Sequence, residues 1–203
     1  MIIEEGLIYL SSVDIKMKKL ISYFPKPVFK SVENNFHSLV KYFVYQQLSG
    51  RVASVIFKRY KGLFRGKDYL IPNKVLEVSN DNLKAIGLSK QKILYIKNLA
   101  HTFVEDNNFS DFSDFSDLQI KDKLIKVKGI GPWTADMFLM FTLKRQDVIP
   151  FSDLGIRKGF KRLYNLPVIP DQVFMSEKSK IWSPFRTLAS LYLWRLVDDE
   201  FNW

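Results

Sequence analysis

With 203 residues, 47% of them hydrophobic and 15% aromatic, the chain can bury a sizeable core as one domain, or as two lobes sharing a cleft, and a disordered polymer is excluded as its main state. Thirty-one Lys and Arg against 21 Asp and Glu leave a net charge of +10, which suits a polyanionic partner or, equally, a basic surface that serves only solubility. There is no Cys, which excludes disulfides, thiol nucleophiles, Cys–zinc sites and Cys-ligated iron–sulfur clusters. The two histidines, His37 and His101, are far apart in sequence, so neither a side-chain metal site nor a cofactor is expected.

The pattern is helical almost throughout. No basic stretch followed by an apolar run opens the chain, so no secretion signal is expected. Residues 13–24 carry apolar positions at helical spacing and stop at Pro25 and Pro27. Helices follow over 36–48 and 52–64, with Ser49 as a candidate N-cap between them. Asn80 or Asp81 opens a short helix through Ile86 that Gly87 closes, and Ser89 caps a helix through Val104. Residues 105–117 read as a polar, low-complexity connection with a small repeat, Ser110-Asp111-Phe112 and Ser113-Asp114-Phe115. Helices are then expected over 118–127, from Pro132 or Trp133 to Leu143, over 153–164 and over 180–197. The longest apolar run, 137–143, is too short to span a membrane. Alternating segments are few, so a sheet of any size is not expected.

The stretch Val127-Lys128-Gly129-Ile130-Gly131-Pro132-Trp133-Thr134-Ala135-Asp136 reads as a hairpin between two helices. Glycines at 129 and 131 permit positive φ and a close approach of the backbone, and Pro132 suits a first helical position. The amides of that helix start, added to the helix dipole, form an anion site, and Ile130 is expected to point inward. Glycine–apolar–glycine alone also describes an ordinary tight turn. Asp153 lies 17 residues beyond Asp136, at the start of the next helix. A carboxylate there can stabilise positive charge that develops on a reacting group, and can orient a water. It can also simply cap its helix, and the two roles are compatible. Asp147, six residues earlier, is the other candidate acid, and Asp136 reads as a capping or ion-pairing residue.

The hairpin with the 147–157 segment resembles the helix-hairpin-helix (HhH-GPD) DNA glycosylase superfamily, in which an aspartate begins a helix four residues before a basic residue; Asp153 and Arg157 match that spacing. Within it the chain is similar to the alkylpurine branch, the 3-methyladenine DNA glycosylase II type. Tyr45-Gln46-Gln47-Leu48-Ser49, Ile86-Gly87-Leu88-Ser89 with Lys92, and Trp182-Ser183-Pro184-Phe185-Arg186 with Trp194 extend the match from Phe36 to Trp194. Only residues 1–35 precede it, so the extra N-terminal domain of larger bacterial members is expected to be absent.

The resemblance implies an all-α, two-lobed fold with the active site in the cleft between lobes. Residues 1–35 with 145–203 form one lobe, and 36–144 form the other. It implies Asp153 as the catalytic acid, and Trp133, Trp194 and Met137 as the base pocket. The DNA phosphate would be held by Lys128, Gly129, Ile130, Gly131 and Thr134, and a monovalent ion at the hairpin carbonyls is compatible with that pattern. Gln47 and Leu48 would form the wedge that fills the gap left by a flipped base. Both tryptophans, and Leu48, could instead be core. Met137 stands where some bacterial members carry an aromatic residue. Bifunctional relatives carry a lysine where this chain has Trp133, so a Schiff base cannot form there and hydrolysis without strand cleavage is expected. The expected partner is double-stranded DNA with damaged bases, bound by a monomer with no membrane association; a cytoplasmic, nucleoid-associated location is expected if the source is prokaryotic. A DNA-binding member of the same superfamily that senses lesions or branched DNA without cutting is the second expectation.

Overall fold

The computed structural model describes residues 3–29, 32, 34–48, 50–106, 109 and 111–198. No β-strand occurs among them. The chain divides into two compact units, Met1–Lys30 with Leu139–Trp203, and Ser31–Phe138.

The first unit packs α1 (Ile3–Val13), α2 (Ile15–Tyr23), α10 (Leu154–Tyr164), α11 (Gln172–Ser179) and α12 (Arg186–Val197). Helix α12 is buried along most of its length and lies against α1, α2 and α10. Asp14 opens α2 by accepting from the amides of Lys16 and Met17, and its other oxygen accepts from Trp182 Nε1 at 2.9 Å. Asp147 is a structural acid: Arg186 grips it with Nε at 2.6 Å and Nη2 at 2.8 Å, and Ser183 Oγ donates at 2.8 Å. Burial pushes its carboxyl up, but Arg186 and Ser183 more than offset this and hold it below the usual carboxylate range.

The second unit contains α3 (Asn35–Tyr45), α4 (Gly50–Gly62), α5 (Pro72–Glu77), α6 (Asn80–Ala85), α7 (Lys90–Glu105), α8 (Asp117–Leu124) and α9 (Pro132–Met137). Helix α7 is its spine, packing on α3, α5 and α6. Ser89 caps α7 through the amide of Lys92, and Ser116 with Gln119 forms a reciprocal capping box at α8. His37 is buried in α3 between the rings of Phe57 and Tyr69, each 5.0 Å away. Among the described residues, no helix is long and apolar enough to cross a membrane, and no group of three His, Cys, Asp or Glu side chains could hold a metal ion.

Several expectations need correction. Helices α1, α5 and α11 were not expected. The 180–197 helix is broken: a 3₁₀ turn, Lys180–Trp182, precedes Pro184, which has no N–H to donate, and α12 starts only at Arg186. The helix after the hairpin changes to a π-helical turn over Phe138–Thr142. The 105–117 connection is more than a polar linker, because Phe109 and Phe112 are buried and ring contacts run from Phe103 through Phe109 and Phe112 to Phe138. Burying each phenylalanine contributes ~1.5–3 kcal/mol, comparable with ordering a few backbone residues at about 1–2 kcal/mol each. The proposed cap at Ser49, and Ser110 in the repeat, lie outside the described residues.

Candidate functional site

The hairpin is built as its sequence suggests, with one exception. Helix α8 ends at Leu124, Val127 N–H bonds to Leu124 O, Ile130 N–H bonds to Val127 O, and α9 starts at Pro132. Ile130 is buried and Lys128 exposed. Gly129 has φ +99°, and a Cβ there would overlap the ring of Tyr95. Gly131 differs: it is the extended N-cap residue, at φ −96° and ψ 176°, and a Cβ on it would meet nothing within 4 Å. Positive φ is therefore required at one of the two glycines only. The space over Gly131 is open beside first-turn amides that have no partner within a helix.

Two contacts fix the hairpin. Lys121 of α8 pairs with Asp136 of α9 at 2.5 Å, cross-linking the two helices. Burial pushes the Asp136 carboxyl up, and Lys121 opposes that shift. The second contact is Gln46, whose Nε2 donates to Thr134 Oγ1 at 2.9 Å and to Gly129 O at 3.3 Å. Thr134 is only 1% exposed, so its hydroxyl serves this internal bond. Met137, at the end of α9, is also fully buried, and its carbonyl accepts from Tyr42 Oη at 3.3 Å. Trp133 is half-buried in the first turn of α9.

Beyond Gln46 the chain leaves α3 through Gln47, at φ +57°, into Leu48. Gln47 is exposed and Leu48 is 38% exposed, so the tip of this turn presents an amide and an apolar side chain outward. A non-glycine residue in the left-handed region is uncommon and marks a constrained turn.

The acid lies in the other unit. Asp153 is the N-cap of α10, with Oδ1 accepting from Ile156 N–H at 2.8 Å and from Trp194 Nε1 at 2.8 Å. Trp194 is 4% exposed, so the donor is a buried indole that fixes the carboxylate's rotamer. Gly155 makes room for this arrangement, since a Cβ there would sit 2.7 Å from Trp194 Cδ1. The ring of Phe141 stacks on Trp194 at 6.0 Å and 30°, and Phe29 meets Phe141 at 6.4 Å. Both phenylalanines are half-buried. The segment leading to Asp153 is pinned to α12, where Thr187 Oγ1 accepts from Val148 N–H and donates to Arg145 O.

Sequence reasoning placed Asp153 and Trp194 in the site, and they are in direct contact. It missed Gln46 as a link to the hairpin, and it missed Gly155, Phe141 and Phe29. Phe141 falls eight residues after Trp133 on the same helical run, which was a readable signal. The contacts of Gln46 span 83 and 88 residues and carry no local signal.

The comparisons with known proteins agree on one family. The family model described as HhH-GPD superfamily base excision DNA repair protein matches residues 40–184. DNA-3-methyladenine glycosylase 1 of Schizosaccharomyces pombe is 32% identical over 194 residues, 93% of this chain and 85% of that protein. Among solved structures, the Schizosaccharomyces pombe 3-methyladenine DNA glycosylase in complex with abasic DNA superposes with a TM-score of 0.85 at 29% identity, covering 98% of this chain and 100% of that one. A DNA-3-methyladenine glycosidase from Bacillus halodurans gives 0.81 at 30% identity, over 97% of this chain and 92% of that one.

Proposed function

Because the chain belongs to the HhH-GPD superfamily of base excision DNA repair proteins, we propose that it is a DNA glycosylase that hydrolyses the N-glycosidic bond of alkylated purines, of the 3-methyladenine type, in duplex DNA. The observation that carries this reading is the carboxylate of Asp153, held at a helix start by the buried indole of Trp194. Its negative charge stabilises the positive charge that develops on the sugar as the base leaves. An alkylated purine is itself cationic. It is a good leaving group and is attracted to the faces of aromatic rings, a role proposed for Trp133 in the one unit and for Trp194, with Phe141 stacked on it, in the other. The duplex is held at the hairpin, where the open backbone at Gly131 and the amides opening α9 take a phosphate and Lys128 adds charge. Gln47 and Leu48 fill the stack once the base has left it.

Trp133 stands where a Schiff-base lysine acts in bifunctional relatives, so the product is an intact abasic strand. Borohydride added during turnover should trap no protein–DNA adduct on a denaturing gel. A covalent band would overturn the hydrolytic reading. The test of the whole proposal is chromatography of free bases after incubation with methylated duplex DNA, with nicking scored in the same samples. Free methylpurine without nicking is the expected result. Tight duplex binding with no base released would favour a lesion-sensing, non-cutting member of the superfamily.

Trp194→Phe probes how the acid is held. It keeps an aromatic ring but removes the donor to Asp153. One lost hydrogen bond to a charged group costs about 1.5–3 kcal/mol, so single-turnover base release should slow by at least tenfold. A lowered unfolding midpoint with an unchanged rate would reduce Trp194 to a packing residue.

A further inference from the structure

We propose that Gln46 is a positioning residue for base flipping: its side-chain amide clamps the turn that carries Gln47 and Leu48 onto the hairpin, so that gripping the backbone phosphate also fixes the wedge. The inference rests on the glycosylase reading above.

The geometry is specific. Gln46 is the C-cap of α3, its own N–H bonding to Tyr42 O at 3.0 Å. Its side-chain nitrogen spends both protons on the hairpin, one on Thr134 Oγ1 and one on Gly129 O, the carbonyl of the residue with positive φ. The main chain of the same residue is held from α7, where Lys92 Nζ donates to Val44 O at 2.7 Å and to Gln46 O at 2.9 Å. Burial pulls the Lys92 ammonium's pKa down, and the carbonyls at a helix C-terminus compensate for the water it has lost. Gln46 is therefore fastened through both side chain and backbone, and its side chain is committed inward.

The next two residues are the ones that point out. Gln47 occupies the left-handed region, which is strained for a residue with a Cβ, and such a turn persists only where its neighbours over-determine it. Gln46 is that neighbour. With the clamp in place, a phosphate drawn into the hairpin and an apolar tip pressed into the stack belong to one rigid piece. The strain of unstacking a base is then resisted by the hairpin rather than by a two-residue tip.

Gln46→Met keeps length and volume and removes the donors. The readout is the fluorescence of a 2-aminopurine placed beside a lesion in duplex DNA, which rises on unstacking, alongside affinity for undamaged duplex and the single-turnover rate of base release. Flipping and base release should both fall about 30-fold, the loss expected when two neutral hydrogen bonds are removed together. Affinity for undamaged duplex should stay within about threefold, as the hairpin itself is intact. Thr134→Val, which removes one of the two acceptors, should lose less, and the double variant should be no worse than Gln46→Met alone. If Gln46→Met does not fold, Thr134→Val carries the test, and wild-type flipping by it overturns the proposal. So does wild-type flipping by Gln46→Met, or an equal loss of duplex affinity and flipping, which would make Gln46 only a support for the hairpin. If the wild-type protein unstacks no base beside any lesion, the wedge reading itself fails and this inference falls with it.

Discussion

Asp153→Asn should abolish most base release while leaving the fold and duplex binding intact. The reason lies in what the substitution conserves. Oδ1 of Asp153 accepts from Ile156 N–H and from Trp194 Nε1, each at 2.8 Å. An asparagine carbonyl accepts from both donors equally, and Asn ranks with Asp as an N-cap residue. Stability should therefore change by less than about 1 kcal/mol. On the proposed reading, what is lost is the negative charge facing an oxocarbenium-like sugar, and removing one such preorganised group costs about 2.7–4 kcal/mol. The expected rate loss is about 10²- to 10³-fold in single-turnover release of methylpurine. Affinity for an abasic duplex should hold or rise, since a carboxylate near phosphates repels them. Asp153→Ala is the informative companion, because it removes the cap as well and should lower stability by about 1 kcal/mol. Base release by Asp153→Asn within threefold of wild type would show that the carboxylate is not the catalytic group.

The parts of this molecule legible in the sequence are those encoded over one helical turn. Ser89, Ser116 with Gln119, and Asp153 cap helices because their side chains reach amides two or three residues on. Gly129 through Pro132 spell a hairpin because φ and the missing proline N–H are local properties. The parts that were not legible depend on residues far apart in the chain. Nothing near Gln46 indicates that its amide belongs to Gly129 and Thr134. Nothing near Gly155 indicates that an indole from α12 lies where its Cβ would be. The Ser-Asp-Phe repeat reads as polar by composition, yet its first phenylalanine is buried, because one ring in three residues is enough to dock a loop. Helix α1 was missed although Glu4 and Glu5 mark its first turn and Leu7 and Leu10 its buried face. The two hairpin glycines divide the roles read for them: Gly129 takes the positive φ, and Gly131 leaves open space at the backbone.

That division predicts opposite outcomes for the two hairpin glycines. Gly129→Ala should be severely destabilising. At φ +99° an alanine leaves its allowed regions, costing about 1–3 kcal/mol. Its Cβ also drives into the ring of Tyr95, which packs against Phe43 5.6 Å away. Overpacking of that kind costs about 1–3 kcal/mol more. A combined loss of roughly 2–6 kcal/mol is a large share of the stability of a domain this size, and at about 2–4 °C per kcal/mol the unfolding midpoint should drop by roughly 10 °C. Adding Tyr95→Ala, which removes the Cγ and Cδ atoms that the new Cβ meets, should recover the steric part but leave the cost of positive φ, a non-additivity that a double-mutant cycle measures directly. Gly131→Ala should behave otherwise. Its φ of −96° suits any residue and a Cβ there meets nothing, so the midpoint should shift by no more than a degree or two. The methyl group instead occupies the open space assigned to a DNA phosphate, and duplex affinity should fall about tenfold, with a shallower dependence on salt as one backbone contact is lost. Electrophoretic affinity at two salt concentrations, measured beside thermal unfolding, separates the two glycines. A Gly131→Ala protein that binds duplex as wild type does would remove the phosphate from this hairpin.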